Sequence, residues 1–258
     1  MEAVMSSMFD LKGKTALITG SGRGIGLTLA RGLAREGARV VLNDLSREAV
    51  DRAVDELRRE GFDASGEVFD VTDRAAVIAG IDRVERDVSP LDILFNNAGI
   101  HRRSPLVDMA ESDWRAVLDT NLTSAFLVGQ RAAKGMIERG RGKIVNICSI
   151  NCELPRPDIG NYSAAKGGLV LLTRAMTVEW AQYNVQVNGL APGYILTEMT
   201  MPLSKDPVKN AWIESITPAK RWGTPEDLIG AAVFLSSEAS NFVNGHVLFV
   251  DGGMRISL

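Results

Sequence analysis

The chain has 258 residues, of which 45% are hydrophobic and 24% are charged, and its formal net charge at pH 7 is −3. These values are ordinary for a folded protein with a full core, and the slightly acidic balance argues against nucleic acid or an anionic membrane as a partner. Two histidines and two cysteines, Cys148 and Cys152, are too few for a histidine-based metal site or a disulfide framework, so no metal is predicted.

The first nine residues are predicted to be a loose tail ahead of a single domain over residues 10–258. They include an early acid, Glu2, and they lack a basic flank and a long apolar run. The segment therefore has the pattern of neither a signal peptide nor a membrane span. We expect a cytoplasmic protein with no membrane partner.

Short apolar runs alternate with longer amphipathic stretches, which predicts βαβ units and a parallel sheet. Several runs are almost continuously apolar, as expected for strands covered by helices on both faces. An α/β fold is therefore expected. The predicted strands cover residues 15–19, 39–43, 67–70, 92–96, 143–148, 186–190 and 246–250.

The stretches between the strands have helical periodicity and recognisable ends. The predicted helices run from about residue 23 to the glycine at 37, over 47–60, after Asp73, over 112–139 and over 162–182. A last helix opens at Thr224, an N-cap followed by proline at the first helical position. Residues 198–222 carry three prolines and break the alternation. They are interpreted as an insertion that closes over a substrate.

A glycine-rich turn follows the first predicted strand and opens the first predicted helix. Glycines permit a tight turn, and the helix N-terminus offers free N–H groups and a positive dipole to a pyrophosphate. This context predicts a dinucleotide site, although the spacing differs from G-x-G-x-x-G and a turn without a ligand is the alternative. The predicted contacts here are Gly20, Ser21, Arg23, Gly24, Ile25 and Gly26.

The residues that would choose between NAD and NADP disagree. Asp44 ends the second predicted strand, where a carboxylate accepts hydrogen bonds from ribose hydroxyls and repels a 2′-phosphate. Arg23 would instead pair with that phosphate, so the preference stays open. Asp70, followed by Val71, is predicted to meet the adenine at the end of the third strand. Either acid could instead cap the helix that follows it.

Tyr162 and Lys166 are four residues apart, and Ser149 lies thirteen residues before the tyrosine. Residues at i and i+4 share one helix face, and an ammonium beside a phenol lowers the phenol pKa toward working pH. Together with the glycine-rich turn, this spacing indicates nicotinamide-dependent redox chemistry on an alcohol or a ketone. Asn121 is locally unfavourable inside an apolar helix. It is interpreted as a kink that holds a water near Lys166, or else as a satisfied core residue.

Over essentially its whole length the chain resembles the classical short-chain dehydrogenase/reductase family. The resemblance implies a doubly wound Rossmann fold with seven parallel strands, a nicotinamide cofactor (NAD or NADP) and a homotetramer. The matching segments are 19–26, 96–99, Asn121, Ser149, Tyr162 with Lys166, and 192–193 followed by Thr197. The resemblance implies a catalytic set of Asn121, Ser149, Tyr162 and Lys166. It extends the cofactor site to Asn97, Ala98, Gly99, Tyr162, Lys166, Pro192, Gly193, Ile195 and Thr197.

Within this family the chain is similar to the gluconate 5-dehydrogenases, in segments 97–103, 146–149, 153–154, 217–223 and 242–254. The similarity implies interconversion of D-gluconate and 5-keto-D-gluconate, a polyol or aldonate substrate. Arg102 or Arg103 would meet the carboxylate, since both follow the fourth strand at the ligand edge of the sheet; either could be a surface arginine instead. Asn151 and Glu153 are predicted to bind sugar hydroxyls, with Ser149 and Tyr162 at the reacting oxygen.

Three alternatives to this function remain at the level of sequence. Two are enzymes of the same family, a 3-oxoacyl thioester reductase and another sugar or polyol dehydrogenase. The reductase would need a basic face for an acidic carrier protein, and Arg139, Arg141 and Lys143 are the obvious cluster. The third is a non-catalytic nucleotide-sensing protein, which would not need the complete catalytic set that this chain has.

Overall fold

Seven strands form one parallel sheet within residues 8–257, the part of the chain that the computed structural model describes. They are β1 (Thr15–Ile18), β2 (Arg39–Asp44), β3 (Ala64–Val68), β4 (Ile93–Asn96), β5 (Gly142–Ile147), β6 (Val185–Pro192) and β7 (Val247–Val250). Their order across the sheet is β3-β2-β1-β4-β5-β6-β7, and each neighbouring pair is parallel. The predicted doubly wound, seven-stranded parallel sheet is confirmed.

Helices cover both faces of this sheet. They are α1 (Gly24–Arg35), α2 (Arg47–Arg59), α3 (Arg74–Asp87), α4 (Glu111–Leu118), α5 (Ser124–Arg139), α6 (Gly160–Trp180), α7 (Met201–Ser204), α8 (Pro207–Ile216) and α9 (Ile229–Ser236). Among residues 8–257, none of the helices is both long and apolar enough to cross a membrane.

Alternation along the strands divides the core into two layers. In β1, Ala16 and Ile18 belong to the layer built with α1, α2 and α9, whereas Leu17 belongs to the layer built with α3, α5 and α6. Successive strand side chains point to opposite faces of a sheet, so a strand covered on both faces must be apolar at every position. This requirement explains the continuous apolar runs in the sequence.

The third strand lies three residues earlier than predicted at its start, and it ends before Asp70. Its first residues, Ala64, Ser65 and Gly66, are small and pair with β2, but they give no apolar signal. A side chain at Gly66 would collide with Val50 of α2. The close packing of α2 on the sheet therefore requires glycine at position 66, and this glycine is one of the residues that give no apolar signal.

The predicted helix over 112–139 is divided in two. A π-helical turn, Asp119–Thr123, joins α4 to α5. The predicted helix over 162–182 is α6 followed by a 3₁₀ turn, Ala181–Tyr183, and the one opening at Thr224 starts with a 3₁₀ turn before α9.

Residues 198–222 contain α7 and α8. The side chains of Ile213 and Trp222 pack with Ile150, just past β5, and with Met254 near the C-terminus. Of the predicted tail over residues 1–9, residues 1–7 lie outside the described part. The Met8 carbonyl accepts a hydrogen bond from the Ala239 N–H at 3.2 Å.

Candidate active site

A cleft of about 770 Å³ lies at the carboxyl ends of the strands, where the sheet order switches between β1 and β4. Ligands of open α/β sheets bind at this switch point, and the volume is in the range of small-molecule and cofactor sites. Most of the predicted cofactor residues line it. They are Gly20, Arg23, Gly24, Ile25, Gly26, Asp44, Asp70, Val71, Asn97, Ala98, Gly99, Tyr162, Lys166 and Thr197.

Four predicted cofactor residues do not line this cleft. Ser21 is fully buried, and its hydroxyl donates to the Ile18 carbonyl at 2.7 Å while accepting from the Asn43 N–H. Its side chain therefore ties β1 to β2 and does not face the cleft. Pro192 is buried at the end of β6. Gly193 and Ile195 line a separate cavity of about 150 Å³.

The glycine turn is held by Asn97 from the end of β4. The Asn97 amide donates to the carbonyls of Thr19 and Gly20 at 2.8 and 2.9 Å. Gly20 has a φ of +62°, and a Cβ there would lie 2.8 Å from the Ala98 Cα. A Cβ on Gly26 would lie 2.6 Å from the Asn97 amide nitrogen. Asn97 therefore holds the turn in place, and the two glycines are required by the close approach of Ala98 to Gly20 and of Asn97 to Gly26.

The geometry of this turn fits a dinucleotide. The N-terminus of α1 has no side-chain cap, and its first residue, Gly24, lines the cleft. The free N–H groups and the positive end of the helix dipole therefore face the cavity, as a pyrophosphate requires. Arg23 pairs with Glu198 at 3.0 Å, and this exposed pair joins the glycine turn to the segment before α7.

Neither of the two predicted cofactor acids is a helix cap. The caps are Ser46 for α2 and Asp73 for α3. Asp44 lines the cleft and accepts from the backbone N–H groups of Leu45 and Gly22 at 2.8 and 3.3 Å. Asp70 also lines the cleft, with one carboxylate oxygen bound to the Thr72 N–H and hydroxyl. The capping alternative is therefore removed for both.

Ser149, Tyr162 and Lys166 come together at the end of β5. Ser149 follows β5, and Tyr162 and Lys166 share one face of α6. The Lys166 ammonium lies 5.5 Å from the centroid of the Tyr162 ring and donates to the Ile147 carbonyl at 2.6 Å. Lys166 is buried, and burial lowers the pKa of its ammonium to about 8.

The expectation that Lys166 sets a lowered phenol pKa is wrong for the protein without its cofactor. Burial raises the pKa of Tyr162 to about 12, and the hydrogen bond with Ser149 opposes that rise only in part. The charged form of a group loses more hydration than the neutral form when both are buried, and this loss is the main cause of the rise. A positively charged ligand beside the phenol would lower this pKa again, because an opposite charge favours the phenolate.

Asn121 lies in the π turn between α4 and α5. Its amide nitrogen donates to the carbonyls of Ile100 and Val117 at 3.0 and 2.9 Å. Its amide oxygen is buried without a partner, and the residue lines the cleft. A π turn interrupts the helix at the predicted position, and the unpartnered oxygen is a ready acceptor for a water. Among the described residues no protein group satisfies that oxygen, which favours the water-holding interpretation over a satisfied core residue.

The predicted substrate residues lie around Ser149 and Tyr162 in different settings. Arg102 and Arg103 are exposed; Arg102 lines the cleft and lies 4.0 Å from Asp113. The Asn151 amide oxygen is buried without a partner. The Glu153 carboxylate is already paired with Arg255 at 3.0 Å.

Two further polar residues, which the sequence does not single out, have buried atoms without partners. His101 stacks on the Tyr162 ring with centroids 3.8 Å apart, and its Nδ1 is buried without a partner. Arg156, in the loop between Ser149 and Tyr162, has its Nε and Nη2 buried without partners. The one available sequence signal was position, since His101 follows β4 directly and Arg156 lies between two candidate catalytic residues.

Comparisons with known proteins agree with this geometry. Residues 14–208 match the family described as short chain dehydrogenase. The chain is 55% identical to gluconate 5-dehydrogenase of Gluconobacter oxydans (strain 621H), covering 97% of this chain and 98% of the relative. It is 50% identical to 5-keto-D-gluconate 5-reductase of Escherichia coli (strain K12), covering 98% and 100%.

A solved structure is similarly close. It is that of a gluconate 5-dehydrogenase from Burkholderia cenocepacia J2315 in complex with NADP and tartrate, with a TM-score of 0.96 and 51% identity. The match covers 98% of this chain and 99% of that one.

Proposed function

The chain belongs to the short chain dehydrogenase family, and from that premise we propose that it interconverts D-gluconate and 5-keto-D-gluconate. The family and the relatives make it an NAD(P)-dependent oxidoreductase that acts on a CH–OH group. The relatives named for gluconate chemistry match over nearly the full length of this chain. They support the substrate, and the polar groups at the site support it independently.

The observation that carries the proposal is a set of unsatisfied polar atoms on His101, which stacks on Tyr162, and on two residues of the segment between Ser149 and Tyr162. His101 Nδ1 and the Asn151 amide oxygen are buried without hydrogen-bond partners, as are two nitrogens of Arg156. Leaving such atoms unpaired costs about 1–3 kcal/mol each. A polyhydroxy acid would satisfy them, because it carries many hydroxyls and one carboxylate. A steroid or a simple ketone would leave most of them unpaired.

Tyr162 and Ser149 act on the reacting oxygen. In the direction of oxidation, the Tyr162 phenolate takes the proton from the substrate hydroxyl. The Ser149 hydroxyl donates to the same oxygen and stabilises the charge that develops on it. A bound nicotinamide supplies the hydride acceptor in oxidation, the hydride donor in reduction, and in its oxidised form a positive charge.

Lys166 stabilises the charge on the Tyr162 phenolate, and Asn121 holds the water that accepts the proton. The Lys166 ammonium favours the phenolate and is directed toward the floor of the cleft by its bond to the Ile147 carbonyl. The free amide oxygen of Asn121 holds a water that connects Lys166 to solvent. In this scheme the proton from the substrate leaves through Tyr162 and the lysine to that water.

The segment over 198–222 is the proposed cover of the substrate. Glu198 and Met199 line the cleft at the start of this segment. Arg102, which lines the cleft, and Arg103 are the sequence-based candidates for the substrate carboxylate, and both follow His101, which stacks on Tyr162. Asn151 and Glu153 are the proposed ligands of its hydroxyls, and Glu153 would have to exchange its bond to Arg255.

The carrier-docking alternative is disfavoured by the basic cluster itself. Arg139 pairs with Glu85 at 3.3 Å, and Arg141 pairs with Asp92 at 3.2 Å. Lys143 is buried and donates to Ser240 and Asn241. These charges are neutralised or enclosed by the fold, so they do not form a free face for an acidic carrier protein.

A substrate panel tests the proposed function. D-gluconate, a neutral hexitol and a 3-oxoacyl thioester are assayed with NAD and with NADP by absorbance of the reduced nicotinamide. We expect turnover of gluconate well above the other two. Turnover of the thioester alone would contradict the gluconate proposal but not the dehydrogenase chemistry. No turnover of any alcohol or ketone would favour the nucleotide-sensing alternative.

We propose a cytoplasmic homotetramer, with one interface through α5 and α6 and the other through the C-terminal segment. On α6, Leu171 and Val178 are 64% and 82% exposed and seven residues apart, so they share a helix face. Near the C-terminus, Phe242 and Ile256 are also exposed. Sedimentation at micromolar concentration should give a tetramer, and Val178→Glu should give a smaller species. A monomeric wild type would contradict the proposal.

A further inference from the structure

Arg156 carries a guanidinium for which the protein provides no counter-ion. Among residues 8–257, it is the arginine with two nitrogens, Nε and Nη2, buried without hydrogen-bond partners, and no carboxylate in that range pairs with it. Arg139 has one such nitrogen, but its guanidinium pairs with Glu85. Arg156 is half-buried, and leaving two buried nitrogens without partners is costly, so a guanidinium held in this way is expected to have a ligand.

The loop that carries Arg156 borders the substrate side of the site. It begins after Ser149 and ends at Tyr162, the two residues that contact the reacting oxygen. Its later half is bound to the segment after β4, since the Ser104 N–H donates to the Asp158 carbonyl at 3.0 Å. The Asn161 amide donates to the Arg102 carbonyl at 3.1 Å. The two segments therefore enclose the same space.

The orientation of Arg156 is fixed by an aromatic residue of the covering segment. Its guanidinium carbon lies 4.8 Å from the centroid of the Trp212 ring in α8. Trp212 in turn meets the edge of Tyr194, just past β6. Stacking of this kind holds a guanidinium plane in place while leaving its N–H edge free for a planar anion.

The exposed arginines offer a weaker site for the same anion. Arg102 and Arg103 are exposed, and Arg102 has Asp113 nearby at 4.0 Å. Ion pairs exposed to water contribute little, whereas charge-assisted bonds shielded from solvent are stronger. The half-buried, preoriented guanidinium of Arg156 is therefore the better anchor.

We infer that Arg156 binds the carboxylate of the sugar-acid substrate and that Trp212 covers this contact when α8 packs over the loop. The inference rests on the proposed function for the identity of the acid. It assigns the choice of an acid over a neutral sugar to Arg156, in place of Arg102 and Arg103. The carboxylate is bound equally before and during the reaction, so its loss should change KM far more than kcat.

The test compares Arg156→Met with Arg102→Ala and Arg103→Ala. Methionine keeps an unbranched side chain against Trp212 and removes the charge. We expect the KM for D-gluconate and the inhibition constant of tartrate to rise about tenfold or more in Arg156→Met, with kcat within about threefold of wild type. Arg102→Ala and Arg103→Ala test the competing assignment of the carboxylate to the exposed arginines; if Arg156 is the anchor, both constants should rise less in these two variants than in Arg156→Met. NADP affinity, measured by fluorescence titration, should be the same in all four proteins.

Two further variants keep the test decisive. Arg156→Lys retains the charge without the bidentate edge, so its constants should lie between those of wild type and Arg156→Met, even if the methionine variant folds poorly. Added guanidinium ion should lower the KM of Arg156→Ala. The inference is overturned if Arg156→Met and Arg156→Lys bind gluconate and tartrate like wild type, or if the loss appears in an exposed-arginine variant instead.

Failure of the proposed function gives a different result. A wild type that does not turn over gluconate but binds tartrate, with binding lost in Arg156→Met by calorimetry, would remove gluconate and keep the anion site. If the wild type turns over gluconate and Arg156→Met keeps the same KM, the proposed function stands and the inference about Arg156 fails. A wild type that binds neither anion would overturn the inference about Arg156.

Discussion

The imidazole of His101 lies against the phenol ring of Tyr162, with centroids 3.8 Å apart and planes inclined by 24°. Burial, together with the positive charges of Arg103 and Lys166, lowers the pKa of His101 from 6.5 to about 4. The imidazole is therefore neutral at working pH. It presents an aromatic face to the catalytic tyrosine and an unpartnered nitrogen to the site.

The lowered pKa of His101 predicts that the free energy of unfolding decreases at acid pH. Between pH 6.5 and 4 the unfolded chain binds a proton at His101 that the folded protein does not, so the free energy of unfolding falls as pH falls. The contribution is complete above pH 6.5 and amounts to at most about 3 kcal/mol. His101→Phe keeps the ring and removes the titration. Urea unfolding from pH 7 to 4 should show a shallower loss in the variant, and parallel curves would contradict this assignment.

Tyr162→Phe should lower kcat by roughly 10²-fold or more, because the titrating hydroxyl is lost while the ring is kept. Cofactor affinity should survive, since the glycine turn and Lys166 are unchanged. Single-turnover absorbance and fluorescence titration with NADP measure the two quantities. A variant with near-native turnover would remove Tyr162 from the mechanism.

Asp44→Ala should raise the ratio of kcat/KM for NADP to that for NAD by about tenfold, since a carboxylate facing the 2′-phosphate is removed. Arg23→Ala should lower the NADP value and leave the NAD value nearly unchanged. Asp70→Asn is the matched control, because Asp70 lines the same cleft after a different strand. An unchanged ratio in Asp44→Ala would mean that Asp44 serves only the N–H groups of Gly22 and Leu45.

Two glycine-to-alanine substitutions should have opposite signs. In Gly26→Ala the new Cβ would lie 2.5 Å from the Gly20 carbonyl oxygen, so the glycine turn must shift. We expect a destabilisation of about 1–3 kcal/mol and weaker cofactor binding. In Gly230→Ala, within α9, a Cβ meets open space, and helix propensity should stabilise the fold by about 0.5–1 kcal/mol. Thermal unfolding of both variants checks the signs, and equal shifts would refute the steric argument.

The parts of the molecule that the sequence predicts well are those whose chemistry is local. The glycine turn lies in one short segment between β1 and α1, and Tyr162 and Lys166 lie in adjacent turns of α6, so spacing along the chain alone places each group. The strands were found where their residues are apolar on both faces. β3 was shifted because Ser65 and Gly66 are small, and their place in the sheet depends on α2.

The site residues that sequence patterns do not predict have roles that depend on tertiary contacts. His101 stacks on Tyr162, which comes from a different segment of the chain. Arg156 likewise stacks on Trp212 from a different segment. The predicted direction of the Tyr162 pKa shift is wrong for the same reason. Sequence spacing shows the neighbouring ammonium but not the burial that raises the Tyr162 pKa.

Because of the π turn at Asp119–Thr123, the position of Asn121 depends on the number of residues between α4 and α5. It accommodates one residue more than an α-helical turn would at this point. Deleting a single residue there would favour an uninterrupted α-helix, and α4 and α5 could keep their relative register without the π turn. The backbone that positions Asn121 would then change, and its amide would move relative to the cleft. The count of residues between α4 and α5 is therefore as necessary for the water site as the identity of the asparagine itself.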